Sequence, residues 1–122
     1  MTGPGVENAT AGSLASAISN LVVRITSEYT GRGPTRARTH ISENLIAVVL
    51  EDTLTKGERS LVREGHEERV LAMREAFQRT MSSELIGGVE QLTGRRVTAF
   101  MSANHVEPDM AIEAFILSPA EE

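Results

Sequence analysis

The segment Leu45 to Leu50 reads LIAVVL, six consecutive apolar residues rich in β-branched side chains. A run this short between turn signals suits a strand better than a helix. Successive strand residues point to opposite faces, so this strand is apolar on both. Such a strand belongs inside a sheet, covered twice. The chain around it must therefore supply neighbouring strands, a layer of helices, and something for the other face.

The neighbours are legible. RARTHI before it alternates, placing Arg36, Arg38 and His40 on one face and Ala37, Thr39 and Ile41 on the other. SEN supplies the turn between the two strands. A second pair, RRVTAFMSANH and DMAIEAFILS, folds around Glu107-Pro108. Helices precede each pair. Leu14, Ile18, Leu21, Ile25 and Tyr29, with Val22 beside them, make one apolar face, started by Thr10 or Ser13 and ended by Gly31. Thr55 and Glu58 have capping-box spacing and open a short helix that Gly65 interrupts. Val70, Met73, Phe77, Met81, Leu85, Val89 and Leu92 then mark a long helix ending at Gly94.

The expected fold is α+β, in the order α-β-β-α-β-β. A four-stranded, mainly antiparallel sheet carries helices packed on one face. Residues 13–118 form the single domain, with a flexible tail over 1–12 and an acidic tail over 119–122. From Glu67 to Thr93 the long helix would span about 40 Å, more than a compact domain of this size needs. Either Gly87-Gly88 bends it or its excess packs on a second chain. With a doubly apolar strand beside it, the expectation is a homodimer built on the sheet or on the long helix.

Composition removes several functions. The chain has no cysteine, which excludes disulfides and thiolate metal sites. His40, His66 and His105 lie in unrelated contexts, so no metal and no cofactor is expected. Aromatics are 3% and the net charge is −5, which argues against nucleic acid as a partner. No apolar run approaches a membrane span, so direct insertion is not expected and a cytoplasmic location is. Ser60, Ser82, Ser83 and Ser102 lack a neighbouring base. Glu64, Glu67, Glu68 and Glu75 alternate with Arg63, Arg69, Arg74 and Arg79 as a solvated charged face. No catalytic grouping emerges.

TGRGPTRARTH, Thr30 to His40, is the unusual stretch. Gly31 fits a helix cap, and Gly33-Pro34 a tight exit into a strand. The loop follows a helix instead of opening one, so it lacks the amide cluster of a phosphate loop. Arg32, Arg36 and Arg38 need another reason, as do Arg95 and Arg96 in the similar LTGRR after the long helix. The similarity reads either as two α-β-β units related by a pseudo-twofold or as two alike helix caps. On the first reading all five guanidiniums meet at one end of the sheet and hold an anion or acidic partner. On either reading Arg32, Arg36 and Arg38 are expected to be exposed and to serve partner binding more than folding.

YTGRGPTRARTHISENLIAVVLEDTLTKGERSLV, then TGRRVTAFMSANH and a closing AFIL, resembles the MpsC-like family. The most specific elements are Gly31-Arg32-Gly33-Pro34, Leu54-Thr55 with Glu58, and Thr93-Gly94. Ala103-Asn104 departs from the pattern, which has Asp after the serine at Ser102. The resemblance implies a non-enzymatic accessory or interaction module, docking to a membrane ion-transport complex from the cytoplasm or from the periphery of the inner membrane. The alternative is a regulator that binds a small anion or nucleotide through the arginine loops.

Overall fold

The computed structural model describes residues 4–119. In chain order the elements are α1 (Pro4–Thr30), β1 (Arg36–Ser42), β2 (Leu45–Glu51), α2 (Lys56–Arg63), α3 (Glu67–Thr93), β3 (Val97–His105) and β4 (Met110–Leu117). The strands form one sheet in the order β1-β2-β4-β3, every neighbouring pair antiparallel. The α+β class, the two hairpins and the helical layer agree with the sequence reading.

Strand parity builds the core. Ile46, Val48 and Leu50 of β2 are buried on the same face as Ala111, Phe115 and Leu117 of β4. Ile18, Val22 and Ile25 of α1 and Met81, Leu85 and Val89 of α3 close over them in one cluster. Phe115 also meets Phe100 of β3, ring centroids 4.9 Å apart and tilted by 41°. The helix α1 lies over β1 and part of β2, α3 lies over β3, and the two helices contact each other.

Two boundaries differ from expectation. The helix α1 starts at Pro4, so the stretch from 4 to 12, read as flexible tail, is helical backbone. A helix already nucleated by its packed turns propagates cheaply, and proline suits its first position. Residues 1–3 of that tail and 120–122 of the acidic tail lie outside the described residues. The second difference concerns α3, which continues as α-helix through Gly87-Gly88. Its length finds a partner within the chain, because α1 and α3 both contain 27 residues and pack together.

Gly88 is where they come closest. A Cβ built there would stand 2.6 Å from Leu21 Cδ2, whereas one at Gly87 would meet nothing within 4 Å. The two positions should therefore respond oppositely to alanine. Gly87→Ala is expected to stabilise by about 0.5–1 kcal/mol, through helix propensity alone. Gly88→Ala must displace Leu21 and is expected to destabilise by about 1–3 kcal/mol, the usual range for overpacking. Chemical denaturation of the two variants side by side checks this.

Candidate functional site

The two TGR segments end their helices in the same way. Gly31 and Gly94 adopt φ of 81° and 71°, left-handed conformations that glycine takes without strain. The Thr30 hydroxyl donates to the Thr26 carbonyl at 2.8 Å, and that of Thr93 to the Val89 carbonyl at 2.8 Å. Each hydroxyl also accepts from the arginine amide two residues on, at 3.4 Å from Arg32 and 3.1 Å from Arg95. The arginine side chain is then aimed across to another loop.

Arg32 reaches the loop that leaves β2. Its guanidinium donates to the Asp52 carbonyl, to the Leu54 carbonyl at 3.3 Å, and to Asp52 Oδ2 at 2.9 Å. Arg59 pairs with the same carboxylate from α2. The hydrogen bond from Arg32 holds the Asp52 carboxyl below its ordinary pKa, helped by Thr35 and Arg59. Asp109 ties the loop from the other hairpin, accepting at 3.0 Å from the Thr53 amide, 2.9 Å from its hydroxyl and 2.9 Å from the Leu54 amide. Thr55 and Glu58 complete the capping box, with bonds of 3.1 and 2.8 Å. Thr55 and Glu58 thus anchor the start of α2 beside the Arg32 clamp, while Gly31 ends α1 and Gly33-Pro34 lead the chain on to β1, with Gly33 close to Val23 and Ser27 of α1.

Arg95 forms a second clamp. It donates to Asn44 Oδ1 and the Ser118 carbonyl, both at 2.5 Å, and more weakly to the Glu43 carbonyl at 3.5 Å. Arg96 is exposed beside it. The five guanidiniums do not meet. Asp52 follows the last residue of β2 and Asn44 precedes the first, so the clamps sit at opposite ends of that strand. Symmetry explains the separation. A pseudo-twofold perpendicular to the sheet, between antiparallel β2 and β4, exchanges β1 with β3 and α1 with α3, and it also exchanges the two ends. The similarity that suggested one site therefore produces two clamps.

What remains of the basic group lies on the sheet. Arg36 and Arg38 are exposed on the face away from the helices, in line with His40. Arg38 pairs with Glu51 at 3.6 Å. Beside this strip the same face presents Leu45, Ala47 and Val49 from β2, with Ile112, Ala114 and Ile116 from β4. Ala99, Met101 and Ala103 of β3 continue it. Met101 is 53% exposed, Leu45 40% and Ile112 36%. No helix of the chain packs on this side among the described residues. The alanines Ala47 and Ala114 are paired at its centre, so the middle is low and the larger side chains surround it. A depression of about 360 Å³ lies toward one end, with Val49, Ala103, His105, Met110 and Ile112 in its wall.

Beneath the helices lies a buried polar cluster that composition and spacing had not singled out. Glu113 of β4 is 2% exposed, accepting from the Ser102 hydroxyl and, at 3.1 Å, from the Gln78 amide. Burial pushes its carboxyl above the usual range, opposed by those two bonds and by the charge of Arg74. Gln78 and Asn104 exchange bonds of 3.1 and 2.8 Å. Arg74, assigned from sequence to a solvated face, is buried and pairs with Glu58 at 3.3 Å. The missed signal was positional. Arg74 and Gln78 continue the apolar stripe from Val70 to Met81, and Glu113 shares the inward parity of Ala111 and Phe115. This cluster links α2, α3, β3 and β4. Its polar atoms answer one another, which suits a specific core more than a reaction centre.

No group of three or more metal-ligating side chains occurs among the described residues, and no helix there is long and apolar enough to cross a membrane. No curated protein and no solved structure matches the chain. One family model does. It is described as Na+-translocating membrane potential-generating system (MpsC), and it matches residues 10–119, nearly the whole chain. The segments that carry the resemblance supply the helix ends, the Arg32 corner and the sheet, and the chain belongs to the MpsC family.

Proposed function

We propose that this protein is a non-catalytic interaction module that docks onto a protein component of a membrane ion-translocating complex. The observation that carries the reading is the apolar sheet face around Ala47 and Ala114, flanked by Arg36, Arg38 and His40. Leaving several branched side chains in water forgoes roughly 1.5–3 kcal/mol for each one that could be fully buried. A contiguous apolar surface of this kind is characteristic of an interface. The basic strip stands out on a chain of net charge −5 and favours an acidic rim on the partner. The family description supplies the class of complex. Arg32 and Arg95 enter only indirectly, by holding the sheet ends in place.

Leu45→Glu tests this. The side chain is exposed and contributes little to the core, so the variant should fold with wild-type circular dichroism. Membranes carrying the translocating complex should retain the wild-type protein and lose the variant, and retention of the wild type should weaken in high salt as the basic strip is screened. Equal retention of both proteins would exclude this face.

A further inference from the structure

The sheet has two edges of opposite character. The strand β1 presents Arg36, Arg38 and His40 within seven residues. Charged side chains on an edge strand discourage pairing with another chain. An antiparallel pairing of β1 with itself, centred on Thr39, would set Arg38 against His40 of the other copy. The strand β3 has no such guard. Its nine residues, Val97 to His105, contain no Lys, Arg, Asp, Glu or Pro, and its one ionisable residue, His105, comes last. Among the described residues no further strand lies beyond it in the sheet. A long uncharged edge with free backbone donors and acceptors is a template for another strand.

We infer that β3 is a dimerisation edge, pairing antiparallel with β3 of a second copy about a twofold axis near Met101. The expectation of a homodimer on the sheet or the long helix thereby takes a definite form, and it does not depend on the docking reading above. Around Met101, Ala99 faces Ala103 of the second copy, small side chains that let the strands approach. The helix α3 overhangs the same level. Glu75, Gln78, Arg79 and Ser82 form with Phe100 and Ser102 of β3 a cleft of about 330 Å³ open along this edge. Glu75 and Arg79 are mostly exposed and contact each other at 3.6 Å.

The twofold that pairs the strands also sets the two α3 helices antiparallel, bringing Glu75 of one copy toward Arg79 of the other. Each flank thus carries one acid and one base in an order that complements itself, as an isologous interface requires. The axis is perpendicular to the sheet, so both apolar faces end on the same side. Two docking faces become one continuous eight-stranded surface.

Sedimentation equilibrium of the purified protein at micromolar concentration, with three variants, tests the assignment. The wild type should have twice the chain mass of 13.2 kDa. A double substitution, Ala99→Lys with Ala103→Lys, sets lysines against lysines across the axis and should give a monomer with unchanged circular dichroism. Ala99→Lys with Ala103→Glu sets opposite charges together and should restore the dimer. Leu45→Glu, on the apolar face but away from β3, should remain dimeric. A monomeric wild type, a dimer that survives the double lysine variant, or failure of the Lys/Glu variant to dimerise overturns the inference. So does loss of the dimer in Leu45→Glu, which would point to face-to-face packing.

Discussion

Replacing Arg74 by Met is expected to cost about 3–5 kcal/mol, the usual loss when one member of a buried ion pair is removed. Arg74 and Glu58 side chains are each only 6% exposed. Without the guanidinium, Glu58 keeps its bond to the Thr55 amide but carries a buried charge with no counter-ion. Glu113 loses the positive charge that opposes its burial. Against a total stability of about 5–15 kcal/mol for a small domain, that loss is large. Adding Glu58→Gln should recover more than half of it, because glutamine preserves the capping box and removes the orphan charge. Urea denaturation of the single and double variants measures both effects. An Arg74→Met protein within about 1 kcal/mol of wild type would mean that water solvates this pair.

The second large effect belongs to Arg32. Its side chain donates to two backbone carbonyls and a carboxylate, fastening the end of α1 to the loop that starts α2. Arg32→Ala leaves both carbonyls without that donor and Asp52 with Arg59 and Thr35 alone, and should destabilise by about 2 kcal/mol, in the range for hydrogen bonds to or from charged groups. Arg36→Ala and Arg38→Ala, exposed on the sheet, should stay within about 0.5 kcal/mol of wild type. The sequence-based expectation treated the three arginines alike, as exposed and dispensable for folding. The structure separates Arg32 from the other two. Equal melting temperatures for all three single variants would restore the original view.

Why some of this was legible and some was not follows from the range of the forces involved. Local chemistry placed the helix ends at Gly31 and Gly94, the capping box at Thr55 and Glu58, and the strand alternation of RARTHI. The doubly apolar LIAVVL correctly predicted an internal strand, and its outward residues Leu45, Ala47 and Val49 are the ones the chain leaves uncovered by helices. Arg32 was opaque because its partners are loop atoms some twenty residues away, which no spacing rule reaches. Arg74 and Glu113 were readable by position, but their charge argued for the surface, and pairing with Glu58 and with Ser102 and Gln78 overrode it. A repeat seen in sequence alone suggests that its arginines gather, whereas a twofold normal to the sheet must separate them. Nothing in one chain's pattern names a partner for its open face.

Site-specific photo-cross-linking in cells that contain the translocating complex addresses that face directly. A photoreactive residue at Ala114 sits at the centre of the apolar surface, and one at Glu67 sits exposed at the start of α3 on the helical side. An adduct between Ala114 and a membrane subunit of the complex is expected, abolished by Leu45→Glu, and none from Glu67. Adducts from Glu67 with none from Ala114 would contradict it.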